Sequence, residues 1–186
     1  DLKKYKKRKE ENMYLISAYF DRHAQKVLNR YIREIAEETG NTFMTDHQVP
    51  AHLTISSVEA RGGELLIPYV ELLRNRVKSG KIQIVSAGML FPYVFYVTPL
   101  LNAYLQDLSK KIYDCVKDIP EVSISRFYRP MQWLPHITMG KKLTKEQMKI
   151  AFEVMQKQFA PLEATVTQIG LAKVNPHKDL WKIGRA

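Results

Sequence analysis

Apolar and polar residues follow one another along this chain in segments that predict both strands and helices. Residues 13–20 form an apolar run bounded by charge, which is typical of a buried strand. The next segment predicts a helix, because apolar side chains recur every three or four positions between a cap at Asp21 and a stop at Gly40. Further strands are predicted near residues 51–58, 82–90, 93–97, 136–140, 163–173 and 180–183. A further helix is predicted from Pro68 to about Gly80, and others begin near Pro99 and Thr144. The pattern therefore predicts an α+β fold.

The predicted order of elements occurs twice. A strand, a capped helix, a loop with a proline, a short strand that begins with histidine, a helix and a strand describe residues 13–90 and again residues 93–173. A chain of 186 residues is close to the usual size of one domain. We therefore expect one domain over residues 13–186, built from two related halves.

The first twelve residues are different in character. Most of the first nine are lysine or arginine, and residues 1–12 precede the first apolar strand. Such a charge run predicts a solvated, disordered extension outside the fold, with an arm that grips RNA as the alternative.

Composition narrows the class of partner. The chain has 45% hydrophobic and 26% charged residues, which excludes a disordered or fibrous protein, and its formal net charge is +10. A basic balance favours a polyanion, nucleic acid before membrane. No apolar stretch approaches the roughly 20 residues of a transmembrane helix. A single cysteine, Cys115, is typical of a protein in a reducing compartment, so we expect a cytoplasmic protein. We also expect a monomer and no membrane partner.

Two of the five histidines occur in the same short pattern. Residues 52–55 read HLTI and residues 136–139 read HITM, at matching places in the repeat. Side chains two positions apart share one face of a strand, so each segment presents a histidine and a threonine together. Two imidazoles facing one phosphodiester can act as acid and base at neutral pH, and hydroxyls can donate to phosphate oxygens. The candidate catalytic residues are His52, Thr54, His136 and Thr138.

These paired segments, about 80 residues apart in a duplicated order, resemble the 2H phosphoesterases. That superfamily includes the bacterial proteins called 2′-5′ RNA ligase or RNA 2′,3′-cyclic phosphodiesterase. The resemblance covers residues 13 to about 183, and residues 87–99 (AGMLFPYVFYVTP) are similar to a further family segment. It implies two pseudo-symmetric lobes, each an antiparallel sheet with outer helices, and an active-site cleft between them. It also implies catalysis without metal or cofactor, with His136 as the base that activates water and His52 as the acid.

A loop near the second motif offers candidate substrate contacts. Arginines can bind phosphates and exposed rings can stack on bases, although the same residues can equally be surface charge and core. The candidates are Arg126, Tyr128, Arg129 and Trp133, with Phe91 added from an earlier turn. For Phe91 and Tyr93 the core is the favoured position. His23, His47 and His177 are expected to be surface histidines.

The expected activity is hydrolysis of 2′,3′-cyclic phosphate ends of RNA or of cyclic nucleotides. The same site run backwards would join RNA ends through a 2′-5′ bond. Two alternatives remain open. One is a phosphodiesterase for small 2′,5′-linked or cyclic nucleotides, and the other is a non-catalytic RNA-binding module.

Overall fold

The structure, a computed structural model, describes residues 12–174 and 176–184, so most of the predicted basic extension lies outside the described residues. The strands are β1 (Met13–Phe20), β2 (Leu53–Glu59), β3 (Gly80–Leu90), β4 (Val94–Pro99), β5 (Ser123–Ile124), β6 (Ile137–Gly140), β7 (Leu162–Lys173) and β8 (Lys178–Gly184). The helices are α1 (Arg22–Thr39), α2 (Phe43–Asp46), α3 (Ile67–Glu71), α4 (Ala103–Val116) and α5 (Lys145–Gln158). The predicted mixture of helices and antiparallel strands is confirmed.

The strands join into one eight-stranded sheet in the order β1-β2-β6-β4-β3-β7-β8, with β5 beside β2. Every pairing is antiparallel, and β1 also pairs with β7. The succession β1, β2, β6, β4, β3 and β7 therefore returns to its starting strand.

The pairings repeat between the two halves of the chain. β1 pairs with β2 and β7, while β4 pairs with β6 and β3. Exchanging β1 for β4, β2 for β6 and β3 for β7 therefore reproduces the same set of pairs. The strands that carry the two motifs, β2 and β6, meet across this exchange. The division of the halves into two lobes stays a prediction.

Side-chain caps fix the ends of the main helices. The Asp21 carboxylate accepts from the Ala24 backbone N–H at the start of α1, and Gly40 ends that helix with φ of 69°. Thr144 and Gln147 form a reciprocal capping box at the start of α5. These predicted boundaries are confirmed.

Two other helix boundaries differ from the predicted ones. The helix expected from Pro99 begins at Ala103, because Asn102 supplies the cap and Pro99 is the last residue of β4. The helix expected from Pro68 to about Gly80 ends at Glu71 and continues as a 3₁₀ turn to Asn75.

The core determines which way the two motifs face. Leu53 and Ile55 of β2 and Ile137 and Met139 of β6 are buried in the apolar core. Helix α1 packs against α5, β6 and β7, while α4 packs against β2, β3 and α3. Because strand side chains alternate, burial of the apolar residues directs the intervening histidine and threonine to the opposite face.

Candidate active site

The strands β2 and β6 bring the two His-x-Thr motifs side by side. Leu53 pairs with Ile137 in antiparallel register. Continuing that register by one residue in each direction places His52 across from Thr138, and Thr54 across from His136. Side chains directly opposite in such a pair have Cβ atoms about 5 Å apart. All four candidate catalytic residues therefore lie together on one face.

Each of the two histidines is held by a hydrogen bond to the backbone carbonyl two residues earlier. The Nδ1 atom of His52 lies 2.8 Å from the Pro50 carbonyl oxygen, and Nδ1 of His136 lies 2.9 Å from the Leu134 carbonyl oxygen. A carbonyl only accepts, so Nδ1 carries a proton in each ring. The Nε2 atom is then a lone-pair acceptor in the neutral ring and an N–H donor in the cation. Each ring is thus prepared to take or give a proton through Nε2.

The two threonines differ in their surroundings. Thr54 is buried, and its hydroxyl lies 3.5 Å from the Ser17 hydroxyl of β1. Thr138 is half-buried, and its hydroxyl has no hydrogen-bond partner among the described residues. Thr138 is therefore the more accessible of the two to a bound phosphate.

A tyrosine packs beside each histidine. The Tyr19 ring on β1 lies 6.3 Å from the His52 ring between centroids, and the Tyr96 ring on β4 lies 5.5 Å from the His136 ring, edge on. Burial raises the pKa of Tyr19 to about 12, with the Asp179 carboxylate adding to the effect. We call His52, Thr54, Ser17 and Tyr19 the His52 half-site, and His136, Thr138 and Tyr96 the His136 half-site.

Both imidazoles are surrounded in ways that favour the neutral ring. Burial lowers the pKa of His52, and the positive charges of His177, His136 and Lys141 lower it further against the hydrogen bond to Pro50. Burial alone lowers the pKa of His136, opposed by its bond to Leu134. The charge of His136 acts on His52, which agrees with the proximity that the strand register gives.

Two residues near His52 carried no sequence signal. His177 lies in the turn between β7 and β8 with 22% of its side chain exposed, and its Nε2 is 3.5 Å from an Asp179 carboxylate oxygen. It is half-buried where a surface position was expected, and its charge acts on His52. Lys141 directly follows β6. Sequence spacing could not identify either residue, since only the strand pairing brings them near His52.

The predicted substrate loop is fastened along β2. Ser123 and Ile124 of β5 pair with Glu59 and Val58, and the Ser125 backbone N–H donates to the Ser57 carbonyl at 2.9 Å. The loop therefore follows β2 toward the Thr54 end, where the second motif begins.

Trp133 occupies a structural position within this loop. Its side chain is only 6% exposed, and its indole N–H donates to the Thr54 carbonyl at 3.1 Å. Of the two positions that the sequence left open for this ring, the structure shows the core position, and burial keeps the ring from solvent. Instead, it ties the loop to the strand that carries the first motif.

The other candidate contacts lie at the surface to different degrees. Arg126 and Arg129 are exposed, while Tyr128 is half-buried and burial raises its pKa. The Arg126 guanidinium lies 4.9 Å from the centre of the Phe127 ring, which is 64% exposed. This segment presents two cations and one aromatic face to solvent.

Phe91 and Tyr93 are not core residues. They are 84% and 59% exposed at the turn between β3 and β4, so the expectation of burial was wrong. The alternation that buries Phe95 and Val97 within β4 does not extend into the turn. Phe91 therefore stays accessible as a candidate contact.

Other kinds of chemistry have little support within the described ranges. Residues 12–174 and 176–184 contain no group of three or more His, Cys, Asp or Glu side chains that could hold a metal ion. The Cys115 thiol donates to the Tyr69 carbonyl at 2.7 Å, and burial raises its pKa, which disfavours a thiolate. None of the helices in this part of the chain has the length and apolar character that a bilayer crossing needs.

Known proteins resemble this chain in sequence pattern and in fold. The family model of the 2′-5′ RNA ligase superfamily matches residues 23–177. A solved phosphoesterase structure superposes with a TM-score of 0.58 at 12% identity, covering 94% of this chain and 99% of that one. E. coli LigT complexed with 3′-AMP gives a TM-score of 0.53 at 14% identity, with 93% and 97% covered. No curated protein sequence matches the chain.

The fold and the paired motifs define the class of protein as a 2H phosphoesterase, which confirms the resemblance. The chain belongs to the 2′-5′ RNA ligase superfamily. Membership implies a phosphoesterase or RNA-ligase type of activity, in a family whose members act on RNA ends and nucleotides. The prediction of an enzyme that acts on phosphodiester or cyclic phosphate bonds is confirmed at that level.

Proposed function

We propose that this protein is a metal-independent phosphodiesterase that opens 2′,3′-cyclic phosphates at RNA ends or on nucleotides. The observation that carries the proposal is the matched pair of imidazoles. Each is fixed through Nδ1 to a backbone carbonyl, and strand pairing brings both to one face. Two oriented proton carriers are what hydrolysis of a cyclic phosphodiester requires. The 3′-AMP bound by E. coli LigT is a nucleoside monophosphate, the class of product that such a reaction forms.

In the proposed reaction, water attacks phosphorus while one imidazole Nε2 removes its proton. The bond from phosphorus to one ribose oxygen breaks, and the Nε2–H of the other imidazole protonates that oxygen. The product is a phosphomonoester beside a free hydroxyl, and the two histidines have exchanged protonation states. With a 5′-hydroxyl in place of the attacking water, the same attack breaks the bond from phosphorus to the 3′-oxygen and joins two RNA ends through a 2′-5′ bond.

The surroundings of the two rings support a division of roles. Burial and the positive charges of His177 and Lys141, besides that of His136, favour the neutral form of His52. A neutral ring is a base, and we assign the role of proton donor to His136, on which neither His177 nor Lys141 acts. This assignment, with His52 as base and His136 as acid, is the reverse of the one that the family resemblance implies.

The threonines and surface arginines take different parts in the proposal. The Thr138 hydroxyl donates to a non-bridging phosphate oxygen as negative charge grows in the transition state. Thr54 faces the same patch but shares its hydroxyl with Ser17. Arg126 and Arg129 contribute to binding of a longer substrate, because they are exposed on the loop that leads to His136.

The direct test is turnover of a nucleoside 2′,3′-cyclic phosphate by the purified protein in EDTA. We expect a monophosphate product, and loss of roughly 10²-fold or more in turnover for His52→Gln and for His136→Gln. His47→Gln is the matched control, since His47 is exposed at the end of α2. RNA binding without turnover would instead favour the non-catalytic module, and full activity in either motif variant would refute the mechanism.

A further inference from the structure

A basic groove runs along helix α1 beside the His52 half-site. It is a cavity of about 900 Å³ between the exposed face of α1 and residues of β1, β7 and β8. We call this cavity the α1 groove. The residues that line it include five lysines or arginines and no aspartate or glutamate. A cavity with this lining attracts an anion.

The cations are spaced along the groove. Arg22, Lys26 and Arg33 are exposed and lie four and seven residues apart, so they form one stripe on α1. At 1.5 Å per residue, the stripe from Arg22 to Arg33 is about 16 Å long. That length suits a chain of phosphates better than a single one.

Some of these charges are already paired and others are not. Three of the five are paired: Arg30 lies 3.7 Å from Glu34, Arg33 lies 3.8 Å from Glu37, and Lys182 lies 2.8 Å from Asp179. Arg22 and Lys26 have no ionic partner among the described residues. Folding therefore leaves two uncompensated cations in the part of the groove nearest the start of α1.

The groove adjoins the proposed reaction site through two residues that contact His52. Tyr19 and Pro50 both line it. The Tyr19 ring packs beside the His52 ring, and the Pro50 carbonyl accepts the hydrogen bond from His52 Nδ1. A strand whose terminal phosphate lies at the two histidines can thus continue past Tyr19 into the groove. Gln25 and Asn29 add amide groups to its wall.

We propose that the α1 groove binds the phosphates of the nucleotides preceding the reacting end, so that the substrate is an RNA strand in preference to a free cyclic nucleotide. The inference rests on the proposed function for the position of the reacting phosphate. Its binding part, which concerns a polyanion on Arg22 and Lys26, can be measured without catalysis.

The experiment compares the double variant Arg22→Gln/Lys26→Gln with a matched double variant, Lys110→Gln/Lys111→Gln. Lys110 and Lys111 lie on α4, where each is paired with an aspartate of that helix. Both double variants remove two positive charges, from cations without an ionic partner in the groove variant and from ion-paired cations in the α4 variant. The probes are uridine 2′,3′-cyclic phosphate, an oligouridylate of roughly 12 nucleotides with the same end, and an uncleavable oligouridylate with a 3′-phosphate.

For the groove variant we expect the KM of the oligonucleotide and the Kd of the uncleavable strand to rise about tenfold, with kcat unchanged. The slope of log Kd for the strand against log salt concentration should become shallower by about 1.4. Each cation that neutralises a phosphate contributes about 0.7 to this slope. Kinetics on the cyclic mononucleotide should stay the same, and the α4 variant should match the unaltered protein.

An unchanged Kd for the strand in the groove variant would overturn the inference, as would an equal loss in the α4 variant. An equal rise in KM for mononucleotide and oligonucleotide would also overturn it, because the groove would then serve the reacting end itself. If the unaltered protein turns over neither cyclic phosphate, the proposed function fails. The Kd comparison would still decide whether the groove binds RNA.

Discussion

The His52 and His136 half-sites use the same backbone and differ in their electrostatic surroundings. In both, Nδ1 donates to the carbonyl two residues earlier, and a tyrosine from the neighbouring strand packs on the ring. Around His52, however, the Thr54 hydroxyl is engaged by Ser17 and three positive charges oppose protonation. Around His136, the Thr138 hydroxyl is free of partners in the described ranges and burial acts alone.

This difference shows how a duplicated motif can supply two unlike groups. The shared hydrogen bond gives both rings the same tautomer, so either could serve as acid or base. The neighbouring charges then separate the two protonation equilibria, as acid–base catalysis requires. The comparison can be tested at the rings, at the hydroxyls and in the titration of the two imidazoles.

The largest expected effect separates the roles of the rings. A 4-nitrophenyl nucleotide ester without a 2′-hydroxyl has a leaving group that needs no proton. We expect His136→Gln to lose roughly 10²-fold or more on a cyclic phosphate but far less on this ester, since only the acid is bypassed. His52→Gln should lose activity on both. The measurement is kcat for each variant on each substrate.

The opposite result, with His52→Gln rescued by the good leaving group, would restore the assignment that the family resemblance implies. His47→Gln serves again as the control for loss of an exposed imidazole.

A smaller effect is expected at the hydroxyls. Thr138→Val should lower kcat by up to about 10²-fold with little change in KM, since removal of one transition-state donor costs roughly 10²–10³ in other enzymes and this site is half-open. Thr54→Val should lower kcat less, because Thr54 is buried and less accessible to the phosphate than the half-buried Thr138. Steady-state kinetics of both variants check the order, and equal losses would remove this distinction between the half-sites.

The smallest effect is a shift in titration. In an NMR titration of the free protein, both imidazoles should show a pKa below the usual 6.5, and Lys141→Gln should raise the pKa of His52 while leaving that of His136 unchanged. With a neutral base and a protonated acid required, kcat/KM should be highest below about pH 6.5 and fall as rising pH deprotonates the acid.

The same depressed pKa values bear on stability. Because the unfolded chain binds these protons more tightly, the contribution of the two histidines to the free energy of unfolding should be complete above about pH 6.5. It should decrease as pH falls toward the folded pKa values.

In the NMR titration, a Lys141→Gln variant that shifts the pKa of both imidazoles equally would contradict the electrostatic difference between the half-sites.

Local sequence predicted much of this fold because the responsible forces act over a few residues. Asp21, Gly40 and Thr144 marked helix ends through caps that need only the neighbouring backbone. The alternation in HLTI and HITM likewise predicted which side chains share a face. The exposure of Phe91 was missed because apolar character alone does not show whether a side chain between two strands is buried.

The two His-x-Thr motifs, the repeated order of elements and the family can be recognised from the sequence alone, since they depend on residue identity and spacing along the chain. Three other relations are seen only in the folded structure. Trp133 supports Thr54, His177 and Lys141 act on His52, and the α1 groove opens beside Tyr19. Those relations join residues far apart in the chain. They follow from strand pairing and packing, in which a residue's partners depend on the whole sheet and not on its neighbours in sequence.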